Sequence, residues 1–123
     1  MSDPMLVAIV DDDESMRYSL PVVLKQLGFR ARAFTSAEEF LASDCVSETR
    51  CLILDVAMPG MSGPDLQREL SRRGQKIPIV FITGQLDQDL RRQLLADGAV
   101  ECLFKPFGAA ALREALNTAL GVS

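Results

Sequence analysis

The chain has 123 residues, with 13 Lys+Arg against 17 Asp+Glu for a formal net charge of −4, and is 48% hydrophobic and 24% charged. That balance fits one domain with its own core and excludes disorder and coiled coil. The acidic excess argues against direct nucleic acid contact by the domain, because phosphate binding needs clustered Lys and Arg.

The elements follow in chain order. Residues 5–10 form the longest apolar run, far short of the roughly 20 residues that span a bilayer, and read as a strand covered on both faces. Asp3 and Pro4 stand where an export signal would carry positive charge, so no export is expected. After Glu14, the stripe Met16, Leu20, Val23, Leu24 and Leu27 predicts a helix, with a kink or weakened first half at Pro21. Arg30–Phe34 alternates as a short strand, and Ser36 with Glu39 has capping-box spacing at the start of the next helix. Residues 51–54 read as a third strand. Ser62, Gly63 and Pro64 open a helix carrying Leu66 and Leu70. Residues 78–83 are a fourth strand, followed by a helix bearing Leu86, Leu90 and Leu94. Residues 100–104 are a fifth, and Leu112, Ala115, Leu116, Ala119 and Leu120 mark the last helix. Gly28, Gly74, Gly98 and Gly121 each fall just past a helix, where a left-handed cap favours Gly.

Five such units are too few for an eight-stranded barrel. Apolar strands joined by helices imply an α/β fold, a doubly wound open parallel sheet with helices on both faces. No linker or low-complexity tract divides residues 1–123, so a single domain is expected.

Chemistry in such sheets gathers at the carboxyl ends of the strands. The first strand ends in Val10-Asp11-Asp12-Asp13, the third in Leu54-Asp55, the fourth in Ile82-Thr83-Gly84 and the fifth in Phe104-Lys105-Pro106-Phe107. Taken singly, these are ordinary caps, turn residues and an exposed lysine. Their convergence at one sheet edge is what carries weight. Asp11, Asp12 and Asp55 together place about −3 in a small volume, which calls for counter-charge. Mg²⁺ supplies +2 through oxygen ligands and Lys105 supplies +1, so the sum is zero. A phosphoryl group entering between the metal, Lys105 and Thr83 would be neutralised on three sides. Asp55, on the middle strand of the group, stands as the nucleophile.

The absences agree. With no His, Ser-His-Asp triads, Cys-His pairs and an internal phosphohistidine relay are removed. Cys45, Cys51 and Cys102 are odd in number and lack C-x-x-C spacing, so reduced, buried thiols in a cytoplasmic protein are expected.

Across residues 5–120 the sequence resembles the receiver domain of a two-component response regulator. The motifs are Val-Asp-Asp at 10–12, Asp-x-x-Met-Pro-x-Met-Ser-Gly at 55–63, Ile-Thr-Gly at 82–84, Gly-Ala-Val at 98–100 and Lys-Pro-Phe at 105–107. The Ile-Thr-Gly form and residues 36–41 are most similar to the FixJ-like subgroup. The resemblance implies a flavodoxin-like strand order, 2-1-3-4-5, and a phosphorylation-activated switch rather than a conventional enzyme. It implies Asp55 as the phosphoacceptor, fed by a sensor histidine kinase. Mg²⁺ would be held by Asp12, Asp55 and the Ala57 backbone carbonyl, with Asp11 acting through water. Thr83 and Lys105 would bind phosphoryl oxygens, and the Lys105–Pro106 bond would be cis. The surface of the fourth helix, fifth strand and fifth helix would carry the signal to a phosphorylation-dependent homodimer or to a C-terminal DNA-binding effector domain beyond residue 123. In the family, an aromatic ring three residues before the lysine partners the Thr. Here that switch position is Cys102.

Three other readings are open to the same sequence. An unphosphorylated interaction module keeps the fold without the chemistry. A flavodoxin-like cofactor binder would want hydroxyls and glycines after the first strand, where Asp11–Asp13 repel phosphate. A hydrolase acting through Asp55 would want a second acid two residues on, where Ala57 stands.

Overall fold

Every residue of β1 (Leu6–Val10) is buried, which requires cover on both faces of the sheet it belongs to. The computed structural model describes residues 4–121. Asp3, Val122 and Ser123 lie outside the described residues. Four more strands, β2 (Arg30–Phe34), β3 (Thr49–Asp55), β4 (Ile79–Thr83) and β5 (Glu101–Phe104), alternate with α1 (Glu14–Gln26), α2 (Ala37–Ala42), α3 (Gly63–Arg72), α4 (Gln88–Ala96) and α5 (Ala109–Leu120). All the strand pairs are parallel, in the order β2-β1-β3-β4-β5. This is the expected doubly wound sheet, with β3 at its centre.

Strand alternation divides the core in two. Leu6, Ala8, Val10, Leu52, Leu54, Ile79, Phe81 and Cys102 pack with α2, α3 and α4 through Ala37, Phe40, Leu66, Leu70 and Leu94. Val7, Ile9, Cys51, Ile53, Val80 and Ile82 pack with α1 and α5 through Leu20, Leu24, Leu112, Ala115 and Leu116. The two layers fix the height of every strand end. Among the described residues, no helix is long and apolar enough to cross a membrane.

Several local expectations are corrected. Pro21 neither ends nor divides α1, which runs unbroken from Glu14 to Gln26, because Leu20 and Leu24 on either side of it are both buried against the sheet. The Ser36 hydroxyl accepts from the Glu39 N–H at 3.0 Å, but Glu39 turns to the Thr35 N–H and hydroxyl, at 3.2 and 3.0 Å, instead of closing a reciprocal box. The full capping box forms at Ser62 and Asp65. Leu86 is 77% exposed and lies before α4, because the Asp87 carboxylate accepts from the N–H groups of Asp89 and Leu90 and starts the helix after it. β3 begins at Thr49, two residues early, where a register shift beside Leu6 lets Thr49 pair. The four expected cap glycines all have positive φ.

Candidate functional site

The strand order brings β1, β3, β4 and β5 side by side, so their carboxyl ends deliver Asp11, Asp55, Thr83 and Lys105 to one edge. The three consecutive aspartates separate into different tasks. Asp11 is fully buried. Its carboxylate accepts from the Asp13 N–H at 2.9 Å and from Lys105 Nζ at 3.1 Å. Asp12 is exposed. Asp13 caps α1 through Ser15, whose N–H and hydroxyl lie 3.0 and 2.9 Å from its carboxylate; these bonds, the hydroxyl's above all, hold the Asp13 carboxyl below its ordinary range.

Asp55 ends β3 and is 7% exposed. Burial pushes its carboxyl up to about 7; the Asp11 charge adds to the rise and Lys105 opposes it. Oxygens of Asp11, Asp12 and Asp55 all lie within 4.8 Å of one another. Three hard oxygen donors at that spacing suit Mg²⁺. Ala57, whose carbonyl is the expected fourth donor, lies exposed on the loop that leaves β3. Thr83 is buried, and its hydroxyl oxygen accepts the Gln85 N–H at 3.1 Å, which leaves its proton available to donate. Lys105 pairs with Asp11 and not with Asp55. The Lys105–Pro106 bond is cis, as expected.

Residues 7–117 match the response regulator receiver domain family. The chain belongs to this family. Receiver domains act as phosphorylation-driven signalling switches, and this one has their fold and their buried acidic strand end. It is 45% identical to nodulation protein W of Bradyrhizobium diazoefficiens over 86% of this chain and 47% of that one. It is 36% identical to the transcriptional regulatory protein FixJ of Azorhizobium caulinodans, over the whole of this chain and 58% of the relative. The chain therefore spans about half the length of the curated relatives it matches. A crystal structure of FixJ-N superposes with a TM-score of 0.85 at 37% identity, covering 98% of this chain and 96% of that one.

Three contributors to the receiver site carry little sequence signal. Arg17 Nη1 donates to the Asp11 carbonyl at 3.0 Å. Glu38, on α2, accepts the Met61 N–H at 3.1 Å. Gly63 lies so near β3 that a Cβ there would stand 2.4 Å from the Asp55 carbonyl oxygen. A Gly at a helical position hints at close approach; the other two depend on the fold. At the expected switch position Cys102 is 3% exposed, and burial raises its thiol pKa. Beside it, Arg91 of α4 meets Glu101 of β5 at 2.6 Å, and Glu101 also accepts the Cys102 N–H at 2.9 Å.

Proposed function

We propose that Asp55 is the phosphoacceptor of an Mg²⁺-dependent switch fed by the phosphohistidine of a sensor histidine kinase. The supporting observation is the meeting of Asp11, Asp12 and Asp55 oxygens within 4.8 Å, with Lys105 at their side. Asp12, Asp55 and the Ala57 carbonyl would hold the metal, with Asp11 in contact through water. When bound, Mg²⁺ supplies the counter-charge that keeps Asp55 ionised and screens the incoming phosphoryl oxygens.

An Asp55 oxygen forms the new bond to phosphorus as the P–N bond breaks, and that bond's electron pair stays on the donor's imidazole nitrogen. Lys105 shifts from Asp11 to a phosphoryl oxygen, and the Thr83 hydroxyl donates to another. The chain thus catalyses only its own phosphotransfer and dephosphorylation. With Cys102 in place of a ring, the movement of Thr83 reaches the surface of α4, β5 and α5 through the loop after Thr83 and the Arg91–Glu101 contact. Relatives about twice as long, named as transcriptional regulators, support a DNA-binding output domain following a single receiver unit over residues 1–123. A phosphorylation-dependent homodimer and a cytoplasmic setting fit the same reading.

Intact-mass spectrometry after acetyl phosphate treatment tests the site. Wild type should gain one phosphoryl mass with Mg²⁺, and neither wild type in excess EDTA nor Asp55→Asn should. Equal labelling of wild type and Asp55→Asn would refute the assignment.

A further inference from the structure

The loop from Val56 to Ser62 carries Ala57 and is fixed at both roots by backbone bonds: the Val56 N–H donates to the Ile82 carbonyl at 3.1 Å, and the Gly63 N–H to the Val56 carbonyl at 2.9 Å. Its tip is held from elsewhere in the fold. The Met61 N–H donates to Glu38 Oε2 at 3.1 Å, across 23 residues of sequence. Gly60 has φ +75, and a Cβ there would stand 2.7 Å from the same Oε2, so the carboxylate oxygen lies directly against the tip. Its base is firm, because Ala37 and Phe40 of α2 are both fully buried. The neighbouring Glu39 acts locally, on Thr35.

We infer that Glu38 is a positioning residue for the metal-binding loop: by accepting the Met61 N–H while lying against Gly60, its carboxylate fixes the tip of the segment that presents the Ala57 carbonyl, so the affinity for Mg²⁺ is set in part from α2. The inference rests on the metal-site reading above. An untethered tip samples more conformations, and binding must then order it at the expense of affinity. The role is assigned to the hydrogen bond rather than to the charge, because of the two adjacent glutamates Glu38 is the one that bonds the loop, while Glu39 bonds Thr35.

The test compares wild type, Glu38→Ala, Glu38→Gln and Glu39→Ala by two measurements. One is Mg²⁺ affinity from chemical-shift titration, and the other is amide hydrogen exchange of Met61 in EDTA. Loss of one hydrogen bond of ordinary strength should weaken Mg²⁺ binding in Glu38→Ala about fivefold, which is ~1 kcal/mol. It should also speed Met61 exchange by a similar factor. Glu38→Gln, which keeps an acceptor, should return both to within about twofold of wild type, and Glu39→Ala should leave both unchanged. Wild-type affinity in Glu38→Ala overturns the inference. So does equal loss in all three variants, which would mark a bulk charge effect. A wild type that gives no Mg²⁺-dependent shifts refutes the metal reading and the affinity claim with it; Met61 exchange, measured without metal, reports on the tether separately.

Discussion

Replacing Gly63 by Ala should destabilise the domain, against the usual effect of that change in a helix. Gly63 is the first residue of α3, and Ala is favoured over Gly at helical positions by about 1 kcal/mol. Here the added Cβ would stand 2.4 Å from the Asp55 carbonyl oxygen, 2.9 Å from Phe81 Cε1 and 3.1 Å from Val56 Cα. Two of these atoms are backbone, and the Phe81 ring is fully buried, so none can swing clear. Comfortable contact begins near ~3.5 Å, so α3 must recede from β3 by about 1 Å. Overpacking costs about 1–3 kcal/mol, and a backbone clash this close belongs at the upper end. The net loss is then about 3 − 1 = 2 kcal/mol, or about 8 °C at roughly 4 °C per kcal/mol for a domain of this size. Thermal and urea unfolding in EDTA provide the measurement, with Gly84→Ala as control, because a Cβ at Gly84 meets nothing within 4 Å. The control should lie between wild type and about 1 kcal/mol more stable. A Gly63→Ala protein melting at or above the wild-type temperature would refute the close approach of α3 to the Asp55 backbone.

Asp55 should make the metal-free protein progressively less stable, relative to Asp55→Asn, as pH rises. Its carboxyl titrates near ~3.9 when unfolded and at about 7 when folded, so the contribution of the retained proton is complete below the first value and lost through the second. A melting difference that stays flat between about pH 5 and 8 in EDTA would contradict this. Arg91→Met removes the 2.6 Å pair between α4 and β5, whose side chains are each 33% exposed. It should cost about 1 kcal/mol at low salt and less at 1 M salt; a gap indifferent to salt would show that the contact is packing alone.

The sheet is legible in the sequence because its strands are buried on both sides. Residues 5–10 are an unbroken apolar run and residues 79–82 a second, shorter one, and the structure starts the two strands one residue inside the expected 5–10 and 78–83, at Leu6 and Ile79. β3 is read short because Arg50 is exposed between two buried residues and masks the early start at Thr49. The convergence of the candidate site residues is legible because β-α units leave them at one edge in an order the chain itself displays. What stays hidden is the set of contacts between edge and surroundings. Nothing near Glu38 indicates that it reaches Met61, and no spacing shows that Lys105 rests on Asp11. Pro21 illustrates the reverse case: a strong local breaker is overruled because its neighbours Leu20 and Leu24 are both held in the core.

If Asp55 is the phosphoacceptor proposed above, the resting bond between Lys105 and the fully buried Asp11 would act as a barrier against idle signalling. An anion entering the pocket would find its cation already engaged, and taking it would leave the buried Asp11 carboxylate without its partner. A divalent ion beside Asp11 lowers that penalty, and by reciprocity an anion that draws Lys105 away leaves Asp11 more attractive to the ion. On the proposed reading the two guests would recruit each other, and free phosphate without the ion would bind weakly. The lysine also lies two residues before Phe107, which packs with the α1 and α5 layer, so a change of partner would pull on the connection into α5. One ammonium group would thereby serve as gatekeeper and as the first moving part.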